Sequence, residues 1–423
     1  MVARAIPRLL EARVREALAD TPVILIHGPR QCGKTTLARI VGAARGYTYS
    51  TFDDDSLREA ALFDPTGFVA RLPRRVILDE VQRVPALFAA IKAAVDAHRQ
   101  PGRFILTGSA NVLLLPALAD SLAGRMALLR LHPFAQCEIE RTRPTFIDTV
   151  FEGGCPQLEA PPLGRELARL MTRGGFPSVF GRRAESRRAA WYRDYIETQV
   201  QRDVRDLSRL RSFDALPRLL SVVAGHTASL VNVAELAGPF QLSRPTIHEY
   251  LTLLERVFLV QTLPAWHTNR LSRLVKAAKL HIGDTGLAAA LLGVDSRELH
   301  EDRGLFGSLL ETFVFHELQR QASASTRPVA FHHFRDRDGY EVDLVLERGP
   351  RAVVGIEVKA AASVSAADFR GLRKLADIAG RRFVQGLILY DGERTLDFGD
   401  KFRAVPVRAL WDTNAAGARP RSR

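Results

Sequence analysis

Gly28-Pro29-Arg30-Gln31-Cys32-Gly33-Lys34-Thr35-Thr36 directly follows the apolar run Val23-Ile24-Leu25-Ile26-His27. A buried strand that enters a glycine-bounded loop and opens a helix, expected here from Thr35 to Val41, aims several backbone N–H groups at one concavity, where anions bind. Gly28 and Gly33 permit the backbone angles of such a loop, Lys34 reaches outer phosphates, and the Thr35 hydroxyl can ligate magnesium. The nine residues from Gly28 to Thr36 are therefore the expected ATP-binding set, with ATP and Mg2+ as cofactors.

Composition adds weight to Lys34. Of the 60 basic residues only seven are lysine (34, 92, 276, 279, 359, 374 and 401), so the chain writes positive charge as arginine by default. A compact ammonium differs from a planar guanidinium fork. A lysine surviving in this background is a candidate for chemistry that needs a point charge, and Lys34 and Lys359 fall inside motifs.

At 423 residues, 46% of them apolar, the chain is expected to fold as two or three globular domains. A net charge of +13 and a pI near 10.2 favour polyanionic partners, nucleic acid before a membrane surface. No run of about 18 apolar residues is present. The opening MVARAIPRLLEARVREALAD lacks a signal-peptide core and reads as an amphipathic helix. Cys32, Cys137 and Cys155 form no C-x-x-C pair, so neither a zinc site nor a disulfide framework is expected, and the expected location is the cytoplasm.

Downstream of the loop, Tyr47 to Phe52 alternates as a strand and leads into Asp53-Asp54-Asp55-Ser56, a helix-start signal. The next strand, Arg75 to Leu78, ends in Asp79-Glu80. An aspartate there can hold the magnesium's water shell, and the glutamate can polarise a water for attack on the terminal phosphate. The strand Arg103 to Leu106 ends in Thr107-Gly108-Ser109-Ala110-Asn111, where Thr107 and Ser109 are candidate phosphate sensors. Arg125, ahead of a fifth strand from Met126 to Leu131, is a candidate finger acting on a neighbouring subunit's ATP.

HGPRQCGKTTL, VILDEVQRVP, FILTGSAN and SLAGRMALLRLHPF together resemble the bacterial and archaeal AAA-type ATPases that carry a C-terminal domain of unknown function, whose nucleotide core is similar to that of Holliday-junction motor ATPases. The resemblance covers residues 20 to 140. It implies an α/β fold with an AAA+-type parallel sheet of order 5-1-4-3-2, and a homo-oligomeric ring or spiral, a hexamer.

Residues 141–165 read as loop or linker. A GGFP turn follows, at Gly174-Gly175-Phe176-Pro177, and then a long helix from Trp191 to Leu210, a lid-like region for which the residues give no chemistry. From Pro217 the pattern becomes short helices. Asn232 and Ser243 are suitable N-caps, and the strand Phe258 to Leu263 completes a winged-helix reading over 216–300. Arg244, Thr246 and His248 at the start of the second helix, and Arg270, Arg273, Lys276 and Lys279 in the wing, are the expected DNA contacts.

Over 301–412 the helix 305–319 carries Glu311, the strand 340–346 carries Asp343, and the returning strand ends in Glu357-Val358-Lys359. Period-two geometry puts Glu357 and Lys359 on one face, with Asp343 projecting from the hairpin partner. This resembles the PD-(D/E)XK nuclease superfamily, with Val342 in place of its proline. The resemblance implies that Asp343 and Glu357 hold magnesium and that Lys359 activates water, with Glu311 completing the motif. Residues 413–423 read as a disordered basic tail. The combined expectation is an ATP-driven DNA-remodelling motor acting on branched, duplex or single-stranded DNA. Its rivals are a nucleotide-dependent switch and an ATP-gated defence nuclease.

Overall fold

The computed structural model describes residues 5–109, 122–200, 215–230, 232–269, 273 and 276–412; Ala110, Asn111, Arg270 and the tail from residue 413 lie outside them. The chain forms two compact units: Met1–Phe134 with Phe176–Ser178 and Leu254–Leu259, and Ala135–Gly175 with Val179–Leu253 and Val260–Arg423.

In the first unit five parallel strands, β1 (Val23–His27), β2 (Thr48–Thr51), β3 (Val76–Asp79), β4 (Phe104–Gly108) and β5 (Met126–Arg130), lie in the order β2-β3-β4-β1-β5. This is the order the resemblance implied. β1, β3 and β4 are buried without alternation because helices cover both faces, whereas β2 is polar and only half-buried. Val23, Leu25, Val76, Leu78, Phe104 and Leu106 pack with Phe52, Phe88 and Ile91 on one side. Ile24, Ile26, Ile77 and Ile105 meet Leu10 and Val14 of the first helix, Leu10–Asp20, and Leu37 and Val41 of the helix Lys34–Ala43 on the other. Each such side chain contributes about 1.5–3 kcal/mol on burial. Asp54 caps the helix Asp55–Phe63, accepting from the Leu57 N–H at 3.1 Å, as the acidic triplet predicts.

The second unit holds two sheets. The helices Ala215–Gly225, Val233–Ala237 and Arg244–Arg256 accompany a three-stranded antiparallel sheet of β6 (Ser229–Leu230), β7 (Val260–Leu263) and β8 (Lys279–Ile282), with β8 in the centre. Ser243 Oγ accepts from the Thr246 N–H at 3.3 Å, as expected of an N-cap. Buried Ile247 and Leu251 form the apolar stripe of the helix it opens.

After the helix Arg303–Ala324 come β9 (Ala330–Arg335), β10 (Glu341–Arg348) and β11 (Ala352–Lys359), successively antiparallel. The helix Arg370–Ala379 then leads to β12 (Phe383–Tyr390), parallel to β11, and β13 (Leu396–Asp397) and β14 (Phe402–Pro406) complete the order β13-β14-β12-β11-β10-β9. Two expectations change here. Residues 141–165 do not form a free linker: they contain the helix Phe146–Phe151, and Gln385 Nε2 donates to the carbonyls of Val150 and Gly154, both at 2.8 Å. The following long helix begins at Glu185, six residues before Trp191, and runs to Thr198, and its expected continuation over 201–210 lies outside the described residues.

Candidate functional site

The loop after β1 has the strained geometry its glycines foreshadow. Gly28 has φ 151° and Gly33 φ 100°, and a Cβ on Gly28 would stand 2.1 Å from the Leu131 carbonyl oxygen, so no other residue fits there. Gln31 also takes a left-handed φ of 57°. Arg8 anchors the loop from outside it, donating from Nη1 to the Cys32 carbonyl at 2.7 Å and from Nη2 to the His132 carbonyl at 2.5 Å, with its guanidinium over the Phe134 ring. Nothing local in the sequence singles Arg8 out. Ser178, from the GGFPS stretch, donates to Gln31 Oε1 at 3.2 Å.

Lys34 is buried and donates to the Gly28 and Pro29 carbonyls at 3.0 and 2.8 Å, inside the concavity. Thr35 Oγ1 lies 3.0 Å from both carboxylate oxygens of Asp79, and Tyr49 donates to Asp79 Oδ2 at 2.8 Å. Thr35 and Asp79 thus bring together hard oxygen donors of the kind magnesium prefers, so the residues present fit that ion.

Glu80, at the carboxyl end of β3, sits at φ 56°, a sparsely populated region for a non-glycine residue and one that concentrates at functional sites. Its Oε2 accepts from Ser109 Oγ at 3.0 Å and from Gln82 Nε2, and its backbone N–H donates to Thr107 Oγ1, which in turn donates to Asp79. Burial pushes the Glu80 carboxyl up, but Lys34, Gln82, Arg30 and Ser109 outweigh it and hold the group below the usual carboxylate range. Gln82 was not anticipated, although its place two residues beyond the Asp-Glu pair is visible. His27, ahead of the loop, is pushed down to about 3, first by burial and then by Arg130 and Lys34. Arg125 lies at the amino-terminal end of β5, where its carbonyl accepts from the Val23 N–H, and its guanidinium donates to Asp96. That is the sheet edge opposite to the loop, so Arg125 cannot serve this chain's own loop.

In the second unit the three predicted carboxylates do converge. Asp343 Oδ2 accepts from the Val358 N–H at 2.9 Å, and Glu357 Oε2 lies 3.4 Å from the Asp343 N–H. The cation among them is not the predicted one. Lys359 Nζ stands 2.5 Å from Asp368, whereas Lys279 Nζ, from β8, donates to Glu311 at 2.8 Å and Asp343 at 3.0 Å. Burial alone would lower Lys279, but Asp343 and Glu311 more than reverse it and keep it an ammonium. Glu311 is raised well above its ordinary value, by burial and then by Asp343. Among the described residues no group of three or more His, Cys, Asp or Glu side chains is arranged to hold a metal ion. The carboxylates, already paired with an ammonium, do not fit magnesium.

The wing also departs from expectation. Lys279 is buried, and Arg273 makes a two-pronged pair with Glu347 at 2.7 and 3.3 Å, so neither presents its charge to a phosphate. Arg270 lies outside the described residues. Arg244, His248 and Lys276 are exposed and Thr246 is half-buried.

Sequence signals also missed Asp284. Fully buried, it accepts from the Gly175 N–H (3.0 Å), the Gly286 N–H (3.0 Å), Tyr192 OH (2.9 Å) and Arg320 Nη2 (3.1 Å). Gly174 packs so closely that a Cβ would stand 2.1 Å from Asp284 Oδ1. The two glycines ahead of Phe176 are thus explained by one buried carboxylate.

Residues 20–140 match the family described as AAA domain, 164–298 a domain of unknown function (DUF8612), and 306–410 a domain of unknown function (DUF4143). Uncharacterized protein Rv2008c of Mycobacterium tuberculosis is 32% identical over 406 residues, spanning 96% of this chain and 84% of that protein, and Uncharacterized protein Mb2031c of Mycobacterium bovis matches with the same figures. Among solved structures, the Walker-type ATPase paby2304 of Pyrococcus abyssi is similar over 68% of this chain and 96% of that one, at 16% identity and a TM-score of 0.41. The RuvB Holliday junction branch migration motor of Thermotoga maritima is similar over 60% and 88%, at 18% identity and a TM-score of 0.28. Among the described residues no helix is long and apolar enough to cross a membrane. The chain belongs to the family of the two mycobacterial proteins, and its first unit is an AAA-type P-loop domain.

Proposed function

We propose that this protein is a magnesium-dependent ATP hydrolase of the AAA type that works on DNA as a homo-oligomer in the cytoplasm. The observation that carries the hydrolase reading is the Thr35, Asp79 and Glu80 constellation, with Glu80 held ionised and aimed by Ser109 and Gln82. When bound, magnesium neutralises phosphate charge. The chain's own residues do the rest. Thr35 and Asp79 offer it oxygens, and Lys34 exchanges its loop carbonyls for phosphate oxygens. Glu80 takes the proton of the attacking water, and Thr107 and Ser109 fix the two acids. With Mg2+ and ATP, Lys34→Ala is expected to lose binding, while Glu80→Gln keeps binding and drops turnover by about 10²–10⁴, the usual worth of a general base. Normal turnover by Glu80→Gln would end this reading.

For the partner we favour DNA, because the order helix, strand, helix, helix, strand, strand reads as a winged helix with Arg244 and His248 exposed at the start of its third helix. The phosphate contacts are Arg244, Thr246, His248 and Lys276, without Arg273 and Lys279. Arg244→Gln and Lys276→Gln should each flatten the log-log salt dependence of DNA binding by about 0.9. If branched, duplex and single-stranded DNA all leave the ATPase rate unchanged, a nucleotide-dependent switch replaces the remodelling motor. We further propose that the C-terminal order of helix, three antiparallel strands, helix and parallel strand is a PD-(D/E)XK-like fold used for docking and not for strand cleavage.

A further inference from the structure

We infer that Lys279 is the resident cation of the nuclease-like centre: its ammonium occupies the place between Glu311 and Asp343 that a divalent ion would need. The centre of the intact protein therefore excludes metal, and removing the ammonium uncovers a latent cation site. The reading rests on the PD-(D/E)XK-like proposal only for the comparison with a nuclease; the geometry stands by itself.

Lys279 Nζ is within hydrogen-bonding distance of both Glu311 Oε1 and Asp343 Oδ1, and its side chain is only 8% exposed. Its backbone is fixed as firmly as its tip. Lys279 starts the central strand β8 and is registered with Leu230 of β6 on one side and Leu263 of β7 on the other. It is therefore no surface side chain sampling a carboxylate in passing. Magnesium demands oxygens at about 2.0–2.1 Å in octahedral array. The ammonium stands between the oxygens magnesium would take and binds one from each carboxylate.

The remaining polar atoms point the same way. Asp343 Oδ2 is bound to the Val358 N–H, and Lys359, the lysine a nuclease would use, is turned to Asp368. In a chain that otherwise prefers arginine, a lysine is what this position requires, because a small point charge fits between two carboxylates where a five-donor fork does not.

The test is Mn2+ binding followed by loss of the free-ion electron paramagnetic resonance signal, on the nucleotide-free full-length chain carrying Asp79→Asn to silence the loop. With Lys279 present, adding Asp343→Asn should change the bound Mn2+ not at all. Lys279→Met should gain one bound ion per chain, and the triple combination with Glu357→Gln should lose it again. Bound Mn2+ that disappears on Asp343→Asn while Lys279 is intact overturns the exclusion. A folded Lys279→Met chain that gains no ion overturns the latent site. Tryptophan fluorescence establishes whether that variant is folded, and the Lys279-containing arm decides the exclusion in either case.

Discussion

Replacing Asp284 by alanine should unfold the second unit far more easily while leaving the loop of the first unit intact. The carboxylate has no solvent exposure and four partners: the Gly175 and Gly286 N–H groups, the Tyr192 hydroxyl and Arg320. Its removal strips the N-cap from the helix Thr285–Leu292, worth about 1 kcal/mol. It also takes Asp284 from the buried Arg320 guanidinium, which keeps its pair with Glu317, and breaking a buried pair from one side costs about 3–5 kcal/mol. Because the two losses share a side chain they do not add in full, and about 4 kcal/mol is expected. The assay is unusually clean. All three tryptophans, Trp191, Trp266 and Trp411, belong to the second unit, so urea unfolding followed by tryptophan fluorescence reports that unit alone. With a slope of about 3 kcal/mol/M the midpoint should fall by about 1.3 M. Asp284→Asn should recover only the cap, about 1 kcal/mol, because its NH2 group would face the Gly175 N–H and Arg320, both donors. An alanine variant within about 1 kcal/mol of the parent, or an asparagine variant equal to it, would refute the reasoning.

The nucleotide site gives three further expectations. Gln82→Leu removes a donor that holds the Glu80 carboxyl low, so the acidic limb of the ATPase pH profile should move to higher pH; an unmoved limb would show that Gln82 has no part in setting it. His27, pushed down to about 3, should show an imidazole resonance that does not titrate between pH 8 and 5 and vanishes in His27→Phe. Since the unfolded chain takes up that proton near 6.5 and the native chain refuses it, stability is lost as pH falls below about 6.5. A native midpoint near 6.5 would contradict the burial argument. Arg125→Ala should abolish hydrolysis only in the assembled state, and mixing with Lys34→Ala subunits should restore part of it. A monomeric parent, with no restoration on mixing, would remove the finger.

How far the sequence could be read depended on whether the deciding contacts were near in the chain. The phosphate loop is contiguous, and its strand, glycines, Lys34 and Thr35 fall where the motif puts them. Residues 141–165 were harder. Their proline and glycine content reads as linker, but the segment is fixed by contacts made more than two hundred residues later: Asp391 accepts from the Leu163 and Gly164 N–H groups at 2.7 and 2.8 Å. No local pattern announces such a partner. Two of the wing cations, Arg273 and Lys279, were misplaced for the same physical reason. Counting cations treats each as facing water, whereas Arg273 and Lys279 are neutralised by Glu347, Glu311 and Asp343 from elements that arrive later. The scarcity of lysine singled out Lys34, which lies inside the loop, and Lys359, whereas the lysine among the carboxylates is Lys279.

The interleaving of the two units has a bearing on how the protein is made. The AAA-type sheet is complete in sequence by Arg130, yet Phe258, whose ring lies 5.9 Å from His27 and 5.0 Å from the Arg130 guanidinium, belongs to the same unit. At roughly 5–20 residues per second of synthesis, the ring follows the sheet out of the ribosome by about 6–25 s. During that interval the nascent sheet must wait without the ring that meets His27 and Arg130. A ribosome-bound chain stalled before Leu254 should therefore leave the His27 imidazole open to diethyl pyrocarbonate, and one stalled well beyond Leu259 should protect it.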